Sequence, residues 1–190
     1  MGNVYAGLVH YPVRNAREAI VATALTGLDL HDIARSARTY ELARYYVITP
    51  LSSQRRIAKK MVEYWMQPGV EPANRAQALK KVGVVATLED SLSDLQACET
   101  ERPLLIATSA RALSIPRIGY DLLRQRIDTQ PQAVYLMFGT GWGLADALIA
   151  MCDYALPPIQ GPGSFNHLSV RAAAAIIFDR LRGRKEECNV

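Results

Sequence analysis

Phe138-Gly139-Thr140-Gly141-Trp142-Gly143-Leu144 joins an apolar run, Ala133–Phe138, to a helix-forming run, Leu144–Met151. The order strand, glycine-rich turn, helix puts the turn at the carboxyl end of a strand. Glycines there let the backbone take positive φ and approach a ligand closely. A second loop repeats the arrangement: Leu156-Pro157-Pro158-Ile159-Gln160-Gly161-Pro162-Gly163-Ser164-Phe165-Asn166-His167-Leu168-Ser169-Val170. It follows a short run, Asp153–Leu156, and enters an alanine-rich helical stretch, Leu168–Arg182. In open α/β sheets, loops at the carboxyl ends of strands are where ligands bind.

Working back along the chain, strands are predicted at Val4–Val9, Tyr45–Thr49, Val82–Ala86 and Pro103–Thr108. Helices are predicted at Asp29–Tyr40, from Ser52 or Ser53 to Met66, and at Ala73–Lys81, Leu88–Cys98 and Tyr120–Ile127. Asp29 or Asp32 would cap the first helix, and Ser52 or Ser53 the second. On the second, Ile57, Met61, Tyr64 and Trp65 form the apolar face, and Arg55, Arg56, Lys59 and Lys60 the opposite one. Strands alternating with helices predict an α/β fold with a mostly parallel sheet flanked by helices. No repeat or linker divides the 190 residues, which read as one domain with a frayed tail at Gly183–Val190.

Hydrophobic residues make up 49% and charged residues 21%, an ordinary globular balance. No apolar run is long enough to span a membrane, and the N-terminus lacks the basic and apolar regions of a signal peptide, so a cytoplasmic protein is expected. Cys98, Cys152 and Cys188 have no metal-ligand spacing and read as free thiols; with three scattered histidines, no metal site is expected. The net charge of +4 rests on 17 arginines against 5 lysines. Arginine's planar fork suits phosphate, which is compatible with a nucleic-acid partner.

The glycine pattern Gly139-x-Gly141-x-Gly143 is not the dinucleotide fingerprint, and no P-loop is present. Taken together, the strand, the FGTGWGL turn and the Asn166-His167-Leu168-Ser169-Val170 helix start resemble the SPOUT (α/β-knot) methyltransferases, in particular a branch of small S-adenosylmethionine-dependent RNA enzymes. His10-Tyr11-Pro12-Val13, the stretch from Asp29 to Tyr40, and Ala107–Arg111 extend the likeness over nearly the whole chain. The resemblance implies a C-terminal deep trefoil knot over about 104–182. It implies S-adenosylmethionine held among three loops, and a homodimer with the active site at the subunit interface. The cofactor residues so implied are Thr108, Ser109, Phe138, Gly139, Thr140, Gly141, Gly143, Ile159, Gly161, Gly163, His167, Leu168 and Ser169. Leu136 joins Ile159 and Leu168 as a candidate adenine wall; each of the three is equally readable as ordinary core.

The catalytic candidates are Arg35, His167 and Asn166. Arg35 resembles the functional arginine of the ribose 2′-O branch, but Asp29 stands where that branch has asparagine, so Arg35 is also readable as a phosphate ligand or a solvated helix residue. Aligning Leu-Ser-Val puts His167 where SPOUT enzymes commonly have asparagine, and a histidine there could accept a proton. The structural reading is that Asn166 or Ser164 caps the last helix. His10 and a His31–Asp pair are weaker candidates. For tRNA or rRNA, the phosphate candidates include Arg14, Arg17, Arg35, Arg38, Arg44, Arg55, Arg56, Arg111, Arg117 and Arg171. Two other readings stay open: a non-catalytic knotted protein that binds S-adenosylmethionine or RNA, and a nucleotide-dependent oxidoreductase.

Overall fold

The computed structural model describes residues 1–70 and 72–184. In chain order the strands are β1 (Val4–Val9), β2 (Val13–Arg14), β3 (Ile20–Val21), β4 (Arg44–Ile48), β5 (Val82–Val85), β6 (Leu104–Ala107), β7 (Val134–Gly139) and β8 (Tyr154–Ala155). The helices are α1 (Gly27–Thr39), α2 (Ser52–Trp65), α3 (Ala73–Leu79), α4 (Leu88–Gln96), α5 (Tyr120–Thr129), α6 (Asp146–Ala150) and α7 (Val170–Arg182). Six strands form one sheet in the order β5-β4-β1-β7-β6-β8, every neighbouring pair parallel. The small antiparallel pair β2–β3 lies outside it; the sequence left Ile20–Leu25 open between a short extended segment and a helical turn, and did not predict β2 or the pairing. Residues 185–190, which include Cys188 and most of the tail expected to fray, lie outside the described residues.

Both faces of the sheet are covered, as parallel strands require. On one face Leu8, Val47, Ile106 and Leu136 pack with Ile33 and Ala37 of α1, Leu123 of α5, and Ile177 and Phe178 of α7. On the other, Tyr46, Leu105, Tyr135 and Met137 pack with Leu88 and Leu95 of α4 and Leu148 of α6. Gly7 sits mid-strand because the Tyr135 ring crosses it: a Cβ there would come 2.6 Å from the Tyr135 hydroxyl. That hydroxyl donates to Ser91 Oγ at 2.9 Å, so the buried phenol is partnered.

Several boundaries differ from the sequence reading. The α1 cap is Thr26, whose hydroxyl oxygen accepts from Asp29 N (3.1 Å) and donates to Asp29 Oδ2 (2.6 Å). Asp29 is thereby the third helical residue, and Asp32 lies further inside the helix. α2 starts at Ser52 with Leu51 in the capping position and no side-chain cap bond. Its inward face is Ala58, Met61, Val62 and Trp65, while Ile57 and Tyr64 are exposed. The alanine lets α2 approach closely, which turns the helix by about a residue from the face its bulky side chains suggest. α6 starts only at Asp146, because Leu144 bridges to Val13 and Ala145 N donates to Pro12 O. α7 starts at Val170, capped by Ser169 Oγ, which accepts from Ala172 N at 3.3 Å.

Candidate cofactor site

The loops after β6, β7 and β8 converge beyond the carboxyl ends of the strands and enclose a cavity of about 770 Å³. That is within the usual range for small-molecule sites. Phe138, Leu156, Ile159, Leu168 and Ile177 supply apolar walls; Thr108, Ser109, Thr140, Asn166, His167 and Asp29 supply polar groups.

The loop after β7 is shaped from below. Thr140 N donates to Val9 O (3.1 Å), Trp142 N to Arg14 O (2.9 Å), and Arg14 N to Gly143 O (2.9 Å). To make these bonds in so short a turn, Gly141 takes φ +59° and Gly143 φ +103°, a region other residues enter at a cost. Trp142 N–H is thereby committed, whereas the N–H groups of Ser109, Ala110, Gly141, Ile159 and Leu168 form no hydrogen bond within the described residues. These five unpaired amides belong to residues that line an apolar-walled cavity, a combination that suits a ligand with both a flat apolar ring and hydrogen-bond acceptors.

Two side chains tie the walls together. Asn166 Nδ2 donates to Ala110 O at 2.9 Å, joining the loop before α7 to the loop after β6. Arg171, in the first turn of α7, meets Asp29 Oδ1 at 3.1 Å and Asp32 Oδ2 at 3.6 Å, joining α7 to α1. The Asp29 carboxylate is buried, and its remaining bond comes from the Thr26 hydroxyl. Its negative charge in the cavity wall is balanced by Arg171, which lines the same cavity.

Beneath the cavity runs a hydroxyl chain. Thr140 Oγ1 donates to Val9 O (3.0 Å) and lies 2.5 Å from Thr23 Oγ1, which is hydrogen-bonded in turn to His10 Nδ1 (3.0 Å). His10 is fully buried and its Nε2 has no partner. Burial pushes its pKa down to about 4, against a smaller upward pull from Asp29.

Of the residues singled out from the sequence, Thr108, Ser109, Phe138, Gly139, Thr140, Gly141, Gly143, Ile159, Asn166, His167, Leu168 and Ser169 all line this cavity. Gly161 and Gly163 do not; a Cβ at either would meet open space, and neither has positive φ. Leu136 is buried in the sheet core instead of the cavity wall. Two hydroxyls are already engaged: Thr108 Oγ1 donates to Met137 O (2.9 Å), and Ser169 Oγ caps α7. With Ser169 as the cap, Asn166 is free to make its tether to Ala110. Arg35 lies on the exposed side of α1, away from the cavity. His31 does not pair with a neighbouring aspartate; its ring meets the Trp65 edge at 6.0 Å, and burial together with Arg75 lowers its pKa.

Sequence reading missed Thr23, Ala24 and Tyr120 as cavity residues, and the Asp29–Arg171 pair. Asp29 and Arg171 are 142 positions apart, and no local pattern could join them. Among the described residues there is no cluster of three or more His, Cys, Asp or Glu side chains able to hold a metal. None of the described helices is long and apolar enough to cross a membrane.

Residues 3–183 match a family described as SAM-dependent RNA methyltransferase. The chain is 43% identical over 183 residues to a tRNA (guanine-N(1)-)-methyltransferase of Oleidesulfovibrio alaskensis, covering 95% of this chain but 42% of that protein. The chain therefore spans about two fifths of the length of that relative. An uncharacterized protein of Aquifex aeolicus is 39% identical over 184 residues, covering 96% of this chain and 89% of its own. Among solved structures, the SpoU methyltransferase AviRb of Streptomyces viridochromogenes, in complex with the cofactor AdoMet, superposes with a TM-score of 0.57. That match has 16% identity and covers 95% of this chain and 56% of that one.

Proposed function

The chain belongs to the SAM-dependent RNA methyltransferase family, and on that premise we propose that it transfers the methyl group of S-adenosylmethionine to tRNA in the cavity beyond β6, β7 and β8. The observation that carries this reading is the set of unpaired amides of Ser109, Ala110, Gly141, Ile159 and Leu168 around apolar walls, with the Asp29 carboxylate beside them. tRNA is favoured over other RNA because a stretch 43% identical to this chain forms part of a longer protein named as a tRNA methyltransferase.

Bound S-adenosylmethionine would supply an electrophilic methyl group, and the protein's task is alignment. Phe138, Ile159 and Leu168 would flank the adenine, and the free amides would bind its ring edge and the carboxylate. Asp29 and Arg171, paired with each other in the wall, would present both charges to the amino-acid end of the ligand. Asn166 keeps two walls at fixed separation, so the acceptor atom meets a preformed site. His167 lines the same cavity and is the candidate to take the acceptor's proton.

The wider reading is one SPOUT-type unit over 1–190, working in the cytoplasm, with a trefoil knot at about 104–182. In favour of the knot, the chain leaves the edge strand β8, crosses over the cavity through 157–169, and returns as α7 against α1 on the sheet's face. In favour of a homodimer, Trp142, Phe165 and Leu168 are exposed at 59%, 81% and 44% close to the cavity. Arg35, exposed and outside the lining of its own cavity, would then serve the partner's. The family match leaves the oxidoreductase reading without support.

The test is calorimetry with S-adenosylmethionine, S-adenosylhomocysteine and NAD, followed by transfer of a labelled methyl group to unmodified tRNA. Binding of the two sulfur ligands and labelled tRNA are expected. Binding without transfer to any RNA would make the protein a carrier, and preference for NAD would overturn the reading.

A further inference from the structure

We propose that the basic face of α2, formed by Arg55, Arg56, Lys59 and Lys60, holds the phosphates of the RNA that flanks the nucleotide placed in the cavity. The proposal rests on the reading of that cavity as an RNA methylation site.

The four cations form two i,i+4 pairs, 55 with 59 and 56 with 60, confined to about 8 Å of helix axis. With Ser52 and Glu63 they line a groove of about 310 Å³. Among the described residues, none of the four has a carboxylate within ion-pair distance. Arg14, Arg44, Arg102, Arg111 and Arg171, in contrast, are all paired with acids. Like charges at i,i+4 destabilise a helix. Glu63, in the same groove, is the one acid set against four cations there and lies beyond ion-pair distance of them, so a polyanion would relieve the remaining repulsion.

The first turn of α2 contains no acidic residue, so the positive end of the helix adds to the same field. Arg55 is held in place, its Nη1 donating to Thr49 O at 2.8 Å. The other three side chains are exposed.

Position places the N-terminal turn of α2 beside the segment that borders the cavity. Gln54 Oε1 accepts from Leu25 N at 2.9 Å, and the adjacent residues Thr23 and Ala24 line the cavity. α2 leaves the carboxyl end of β4, the same end at which β7 opens into the cavity, and β1 alone lies between these strands. Two strand spacings are about 10 Å, a span that a nucleotide or two of backbone bridges. An acidic protein would satisfy the charges but gains nothing from the neighbouring cavity, whereas one RNA strand uses both.

The experiment is fluorescence anisotropy of labelled, unmodified tRNA with wild type and the triple variant R56A/K59A/K60A, across a salt series. Arg55 is left intact because it bonds the backbone. The expected result is a loss of at least ~10-fold in affinity, with the log–log salt slope reduced by about 2 to 3, as for three lost phosphate contacts. S-adenosylmethionine affinity should be unchanged, and the charge-keeping variant R56K/K59R/K60R should bind tRNA like wild type. Wild-type affinity and slope in the triple variant would overturn the proposal while leaving the methylation reading standing. Loss of binding to a polyglutamate probe with tRNA binding intact would assign the surface to an acidic protein and overturn it equally. A wild-type protein that binds no RNA would overturn both.

Discussion

Arg171 Nη1 lies 3.1 Å from Asp29 Oδ1, so that the first turn of α7 is bound to the first turn of α1 across the cavity wall. The Asp29 side chain is 11% exposed and Arg171 is its only cationic partner among the described residues. Removing the guanidinium leaves a buried carboxylate with the Thr26 hydroxyl alone. Arg171→Met keeps the apolar stem and deletes the charge. We expect a loss of about 2 kcal/mol, the scale of one unpaired buried polar group, seen as a Tm lowered by about 4–8 °C. Unchanged Tm would show the pair to be dispensable.

His10 makes stability depend on pH. Its folded pKa lies near 4, below the ordinary value of 6.5, because burial disfavours the charged ring. Between those values the unfolded chain binds more protons, so stability rises with pH in that window. The contribution is fully present above about pH 6.5 and lost as pH falls towards 4, amounting to about 3 kcal/mol over 2.5 units. Urea unfolding at pH 7.5 and 4.5 should show this loss in wild type and a smaller loss in His10→Asn. Equal losses would mean that His10 is not the group titrating.

How much of this was legible in the sequence depends on the range of the interactions. The strands β1, β4, β6 and β7 could be read locally, since each is an apolar run ended by a turn signal. The cavity loops were legible because positive-φ glycines cluster in one heptapeptide. The α2 face was misjudged by one residue, because Ala58 is too small to register as apolar yet marks the close approach. Gly161 and Gly163 looked like Gly141 on paper, but what tells them apart is φ and the nearness of Arg14 O. The cap of α7 at Ser169, the Asn166 tether and the Asp29–Arg171 pair all depend on which distant segments meet, which periodicity cannot report.

That difference among glycines is testable. Gly141 has φ +59°, and a Cβ there would come 2.9 Å from Arg14 O. Gly141→Ala should strain the loop by about 1–2 kcal/mol and displace the free amide, so S-adenosylmethionine affinity should fall about tenfold. Gly163→Ala meets open space at ordinary φ and should bind as wild type. Calorimetry on both checks this, and equal affinities would remove the β7 loop from the ligand site.

Arg35 offers a test of the dimer that needs no structure of it. Its side chain is exposed on α1 and absent from the lining of its own cavity, so the proposed dimer predicts that it acts in the cavity of another copy. Arg35→Ala should then abolish most turnover while cofactor binding stays normal. Gly141→Val should abolish turnover by closing the cofactor loop. Mixed in equal amounts and allowed to exchange subunits, the two inactive variants form mixed dimers as about half the population. In each mixed dimer one cavity is intact and receives an intact Arg35 from its neighbour, so about a quarter of wild-type activity should return. No recovery would place Arg35 in cis or outside the reaction, and full activity of Arg35→Ala alone would leave it a surface residue.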